Sequence, residues 1–188
     1  LFNAALSRLP SPEIYLSAFA VSKSVMLVLK SPIVMVRQTV SSLVEDKQSY
    51  DKVKKFIWAS ALIFILFLAF ISLSKAGEWI FRYIMGIQGK TLSKAVIILR
   101  VFILFPLAST LRNFMQGVSI NYDKTFLFMI GTIFRILYVS SIVFFIDEIQ
   151  LFISPAVIAG LLFLGALGIE GIVMFIGVKF TVGDIRGN

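Results

Sequence analysis

The chain has 188 residues, of which 59% are hydrophobic and 15% charged, and its mean hydropathy is +0.95. A soluble domain of this size cannot hide so much apolar surface, so the composition points to a bilayer protein. There is no Cys and no His, which excludes disulfides and thiolate metal sites and removes the usual general base; no enzyme activity, cofactor or metal is expected.

The net charge of +8 would suggest nucleic acid in a soluble chain. In a membrane chain it points instead to anionic lipid or an anionic solute, and no nucleic-acid partner is expected.

Five spans are predicted in chain order. The first covers about residues 12–45 and opens at Ser11-Pro12-Glu13, with Ser11 as N-cap, Pro at the first helical position and an acid in the first turn. At 1.5 Å per residue it is about 50 Å long, more than the ~30 Å hydrocarbon core, and Pro32 should kink it. The second covers about 53–73, with Trp58 near an interface. In "GEWIFRYIMGIQGK" the residues Trp79, Ile80, Tyr83, Ile84 and Ile87 recur at helical spacing, which predicts a short interfacial helix over about 77–87. The third span, about 92–117, is interrupted by Pro106, the fourth is 125–146, and the fifth, 154–180, is rich in Gly. Small residues of this kind let neighbouring helices approach closely. The expected fold is therefore an all-α polytopic membrane bundle of about five helices, forming one lobe over residues 1–188.

Lys and Arg in the connecting segments set the expected orientation. Lys47, Lys52, Lys54, Lys55, Arg112, Lys124, Lys179 and Arg186 fall on one side, against Arg8, Lys75, Arg82, Lys90 and Lys94 on the other. The richer side, with loops near 46–52 and 118–124, is expected to be cytoplasmic in a plasma (inner) membrane.

The candidate functional residues are charges inside the spans. Lys23, Lys30 and Arg37 are spaced seven apart in the first span, which keeps them within about 40° of one another along the helix. Lys23 and Arg37 lie towards opposite ends, where a long side chain can snorkel. Lys30 lies near the middle, where a cation costs roughly 2.5–3.5 kcal/mol and should face protein or water. Arg100 and Arg135 also lie within spans, and one intramembrane acid, Glu170, stands against them. A Glu170–Arg135 ion pair is the plainest structural account of both. One carboxylate cannot neutralise five cations, so the surplus calls for lipid phosphate, water or an anionic ligand. Lys30 and Arg135 are the leading substrate-binding candidates, with Lys23, Arg37 and Arg100 in support. Glu170 is the ion-coupling candidate, and Pro32 and Pro106 are candidate hinges.

Two stretches carry a family resemblance. "LSRLPSPEIYLSAFAVSKSVMLVLKSPIVMVRQTVSSLVED" resembles the second membrane helix of the multidrug/oligosaccharidyl-lipid/polysaccharide (MOP) exporter superfamily, which includes MATE transporters and lipid-linked oligosaccharide flippases. The matching features are Leu9-Pro10, Ala18 to Ala20, Ser31-Pro32 and Leu43-Val44-Glu45-Asp46. "FPLASTLRNFMQGVSINYDKT" resembles the fourth helix and following loop through Pro106, Leu111-Arg112, Gln116-Gly117 and Lys124-Thr125. Within the superfamily these segments are most similar to the progressive ankylosis (ANK) branch, associated with export of pyrophosphate and related anions.

The resemblance implies that the spans are helices two to six of a MATE-like N-terminal lobe. It also implies a fragment, starting at Leu1, that lacks the first helix and the second lobe. The expected function is alternating-access export or flipping of a phosphate-bearing or lipid-linked anion, with membrane lipids and a second transporter lobe as partners. Two alternatives stand beside it. One is a MATE-like exporter of cationic drugs coupled to Na⁺ or H⁺; the other is a non-transporting membrane scaffold or assembly subunit whose interface is the Gly-rich fifth span.

Overall fold

A computed structural model describes residues 2–44 and 46–182, with the backbone alone for Leu29, Lys30 and Val182. Among the described residues the chain is helical throughout, without strands. A short α1 (Phe2–Leu6) precedes α2 (Pro12–Leu43), α3 (Lys47–Leu73) and α4 (Lys75–Trp79). A π turn over Ile80–Ile84 leads to α5 (Gly89–Val101), which passes through a 3₁₀ turn at Phe102–Leu104 into α6 (Phe105–Asn121). Then come α7 (Phe126–Phe144), α8 (Ile146–Ile149) and α9 (Pro155–Val182).

Lys47–Leu73, Gly89–Asn121, Phe126–Phe144 and Pro155–Thr181 are each long and apolar enough to cross a bilayer. The two arms of α2, Pro12–Val28 and Ser31–Leu43, make a fifth span if the bent pair is taken as one. Among the described residues the protein is thus an all-helical bundle with four to five helices that could span a membrane.

Several boundaries differ from the sequence expectation. Pro12 does open α2, but Ser11 does not cap it: its backbone is left-handed, at φ 59°, and its side chain makes no cap bond. The lysines expected in a loop near 46–52 lie on the first turns of α3. That helix starts early because Asp46 and Ser49 close a reciprocal cap, in which the Ser49 N–H donates to Asp46 Oδ1 at 2.7 Å and the Asp46 N–H to Ser49 Oγ at 3.0 Å. Likewise α6 extends to Asn121, shortening the segment expected over 118–124. The predicted interfacial helix near 77–87 is one α turn followed by a π turn, and it leaves Trp79, Tyr83 and Ile84 exposed while burying Phe81. Glu45, Leu1 and Arg186 lie outside the described residues.

The cap of α3 carries a pH dependence. The Ser49 hydroxyl, then the Ser49 N–H and nearby Lys52, hold the Asp46 carboxyl below its ordinary value of 3.8. A lowered folded-state pKa lends stability above the unfolded value, and that stability is lost as pH falls through the folded one. Asp46→Asn is expected to remove this part of the acid sensitivity below about pH 3.8. Superimposable melting-versus-pH curves for the two proteins would rule the cap out as its source.

Both proline expectations meet local breaks. Pro32 cannot donate to the carbonyl four residues earlier, and the two arms of α2 meet at 49°. Pro106 sits in the first turn of α6, directly after the 3₁₀ turn. α2 runs parallel to α5 and α6. Ser22 Oγ reaches Ala95 O at 2.8 Å, Asn113 Nδ2 donates to Ile33 O at 3.4 Å, and Asn121 Nδ2 to Val44 O at 3.0 Å. Phe19, Met26, Leu99, Phe102 and Phe105 belong to one buried core, on the side of the first arm of α2. Val40, Ile57, Phe114, Val118, Leu127 and Met174 form another, on the side of the second arm.

Candidate functional site

α9 packs along α6 on one side and α7 on the other, and Glu170 lies between them. From the ends of α9 it is roughly 22 Å and 18 Å along the axis. Arg135 is at the midpoint of α7, and Arg112 is about 13 Å from the end of α6. Glu170 and Arg135 therefore fall in the middle of their spans, and Arg112, in the last third of Gly89–Asn121, meets Glu170 at that depth.

Small residues let the helices close around the acid. A Cβ on Gly131 would stand 3.1 Å from Glu170 Cγ, and one on Gly171 would stand 3.2 Å from the Arg112 backbone nitrogen. The Glu170 carboxylate is only 1% exposed and is shared by two guanidinium groups. Arg112 Nε donates to Oε1 at 2.6 Å, and Arg135 Nη1 donates to Oε2 at 3.0 Å. Gln116 Nε2 approaches Oε1 at 3.5 Å, one helical turn beyond Arg112.

The cluster carries one negative and two positive charges, a net +1 at mid-span. The carboxylate is sealed, but the arginines keep contact with their surroundings, at 21% and 33% side-chain exposure for Arg112 and Arg135. A guanidinium has five N–H donors in a planar fork. One donor from each arginine is committed to Glu170, and among the described residues no other acceptor meets either group. Two forks of N–H donors are thus held on either side of a buried carboxylate. This arrangement can bind an oxyanion bidentately.

The other candidates are dispersed. Lys23 Nζ lies over the rings of Phe163 and Phe19, 5.5 and 5.9 Å from their centroids, so aromatic faces receive its charge. Phe163 and Glu170 are seven residues apart on α9, about 10 Å along the same face. Arg100 Nε donates to Ser72 O at 3.3 Å and so caps the last turn of α3. Arg8 treats α7 in the same way, with Nη1 on Val143 O at 3.2 Å. Arg37 is exposed on the second arm of α2, with its carbonyl turned to α6. The Lys30 side chain lies outside the described residues.

Sequence reasoning placed Arg135 and Glu170 together but left Arg112 among the basic residues at a span end, and passed over Gln116. Their spacing of four put both on one face of α6, the signal that could have grouped them. No known protein family, curated protein or solved structure matches this chain.

Proposed function

We propose that the chain is one lobe of an alternating-access exporter or flippase that moves an anionic substrate, phosphate-bearing or lipid-linked. The observation that carries this is the Arg112–Glu170–Arg135 cluster: two guanidinium groups share one carboxylate at mid-span and keep most of their donors uncommitted. A cluster needed only to hold helices together would be served by one arginine, since a second adds desolvation cost without a second counter-charge. The surplus positive charge is productive only where an anion joins it.

Arg135, more exposed, is the direct ligand to the substrate, and Arg112 completes the pair. Lys30 is retained as a third cavity cation on the strength of its central position in the first span. The resemblance of the first and third spans to MOP exporters, and to the ANK branch within them, agrees with this assignment. It supplies the further parts of the proposal: a MATE-like N-terminal lobe, a second lobe as partner, and the Lys47–Lys55 side facing the cytoplasm across a plasma (inner) membrane. Pro32 and Pro106 serve as hinges, each beside the break in its own span.

The structural features weigh against the two alternatives. Glu170 would have to surrender two ion pairs before it could bind a drug cation or Na⁺. Most glycines of α9 are occupied inside the lobe, with Gly160 pressed on Val101, Gly165 on Tyr138, Gly171 on Arg112 and Gly177 on Leu127, and Gly168 alone is open, which is too little for a glycine-lined interface for assembly.

The test is transport by the full-length protein in proteoliposomes, with labelled phosphate-bearing anions as substrates. Arg135→Ala and Lys30→Ala are expected to lower uptake about 10- to 100-fold, matching the 1.5–3 kcal/mol of a hydrogen bond to a charged group. Wild-type anion flux in both variants would overturn the assignment. So would flux of organic cations that depends on Glu170 and ignores anions.

A further inference from the structure

We infer that the groove between the second arm of α2 and the first half of α3 is a binding site for an anionic phospholipid, separate from the arginine cluster. A groove of about 290 Å³ opens there, beginning at Pro32 and lined by Ile33, Val36, Thr39, Phe56, Ser60 and Phe64. Its walls are mostly hydrocarbon. Two of the three hydroxyls along it are already spent on their own helices, Thr39 Oγ1 on Met35 O at 3.0 Å and Ser60 Oγ on Phe56 O at 2.9 Å, and the third, on Thr110, is buried at the base. A polar solute would find few partners inside, whereas an acyl chain needs none.

The length suits a chain lying along the helices, since Phe56 to Phe64 spans about 12 Å. Position identifies the headgroup. Within about one turn before Phe56 lie Lys52, Lys54 and Lys55, with Lys47 at the start of the same helix, while Trp58 marks the interface just within. The segment from Asp46 to Lys55 carries four lysines against Asp46 and Asp51. One of those acids, Asp46, is engaged as the α3 cap. Lys54 rests over the Tyr50 ring at 5.7 Å, while Lys52 and Lys55 are exposed. An apolar slot in one leaflet, with a net positive collar where phosphates lie, fits a negatively charged glycerophospholipid and not a neutral one. The slot exists because α2 bends at Pro32 as it passes α3, so the lipid would fill a space that the kink leaves in the bundle.

Native mass spectrometry of the full-length protein from detergent micelles tests this. The probes are phosphatidylglycerol and phosphatidylcholine with identical acyl chains, and glycerol 3-phosphate as the headgroup alone. Phosphatidylglycerol is expected to be retained about tenfold more strongly than phosphatidylcholine, at about 1 kcal/mol per lysine near the surface. Ser60→Phe, which fills the groove from a partly exposed position, should cut retention of both lipids at least as much. Thr39→Phe on the opposite wall gives the same readout if Ser60→Phe does not fold. Lys52→Ser with Lys55→Ser should leave binding but abolish the preference. Equal retention of the two lipids by the wild-type protein would overturn the inference, as would undiminished binding with the groove filled or displacement by glycerol 3-phosphate. Arg135→Ala is expected to leave lipid retention unchanged, which keeps this result independent of the transport assay.

Discussion

Glu170→Ala is expected to lower the unfolding free energy of the purified protein by about 3–5 kcal/mol, the cost of removing one partner from a buried ion pair. The carboxylate is nearly inaccessible and is the counter-charge for both Arg112 and Arg135 among the described residues. Its loss leaves two guanidinium groups at mid-span facing each other across α9, so like-charge repulsion adds to the desolvation penalty. Reversible unfolding in mixed micelles gives the number. The companion variant replaces Arg112, Glu170 and Arg135 together with Met, Met and Leu. Buried ionic clusters exchanged for apolar side chains of similar volume often fold as well or better. Recovery of stability in that variant, with transport abolished, would separate what the charges do for substrate from what they do for the fold. A loss below about 1 kcal/mol in Glu170→Ala would place the carboxylate in high dielectric, where an exposed pair contributes little.

The second large effect is expected at Gly117. A Cβ there would stand 2.6 Å from Val40 Cβ and 2.8 Å from Arg37 O. The second contact is with backbone inside a helix, so it cannot be relieved by turning a side chain. Gly117→Ala must therefore push α6 off the second arm of α2, at a cost of about 1–3 kcal/mol typical of an overpacked interior. Gly168 supplies the control, because a Cβ added there meets no atom within 4 Å. Gly168→Ala should be neutral or slightly stabilising through helix propensity. Equal melting temperatures for the two alanine variants would mean that the α2–α6 seam tolerates separation.

The spans were legible because bilayer thickness imposes a length and a composition that survive without any tertiary knowledge. The α2 bend was legible for a similar reason: Pro32 lacks an N–H wherever it sits. Of the pairings across the bundle, Glu170 with Arg135 was legible because both are charges deep in apolar spans. The second partner was not: Arg112 and Glu170 are 58 residues apart, and its place towards a span end read as that of a residue reaching a headgroup. Lys23 illustrates the same limit, because its two aromatic partners include Phe163 on a distant helix. Arg100 lay within an apolar stretch, and nothing local announced that its Nε would serve the carbonyl of Ser72 at the end of α3. Ser11 failed as a cap for a backbone reason, since a left-handed residue turns its side chain away from the first amides.

The seam between α2 and α6 is unequal in what each helix contributes. Asn113 and Asn121 reach from α6 to Ile33 O, Val40 O and Val44 O. Arg37 O meets the bare face of Gly117. On one side the polar contacts are made by main-chain carbonyls, which every amino acid possesses. On the other they are made by three chemically particular residues at intervals of four. Away from the buried Ile33 and Val40, α2 can therefore accumulate substitutions along this stretch and still be gripped, and variation in α6 at positions 113, 117 and 121 is what would unfasten it. Sequence drift is thereby permitted to most of the helix that bends and denied to the residues that hold it.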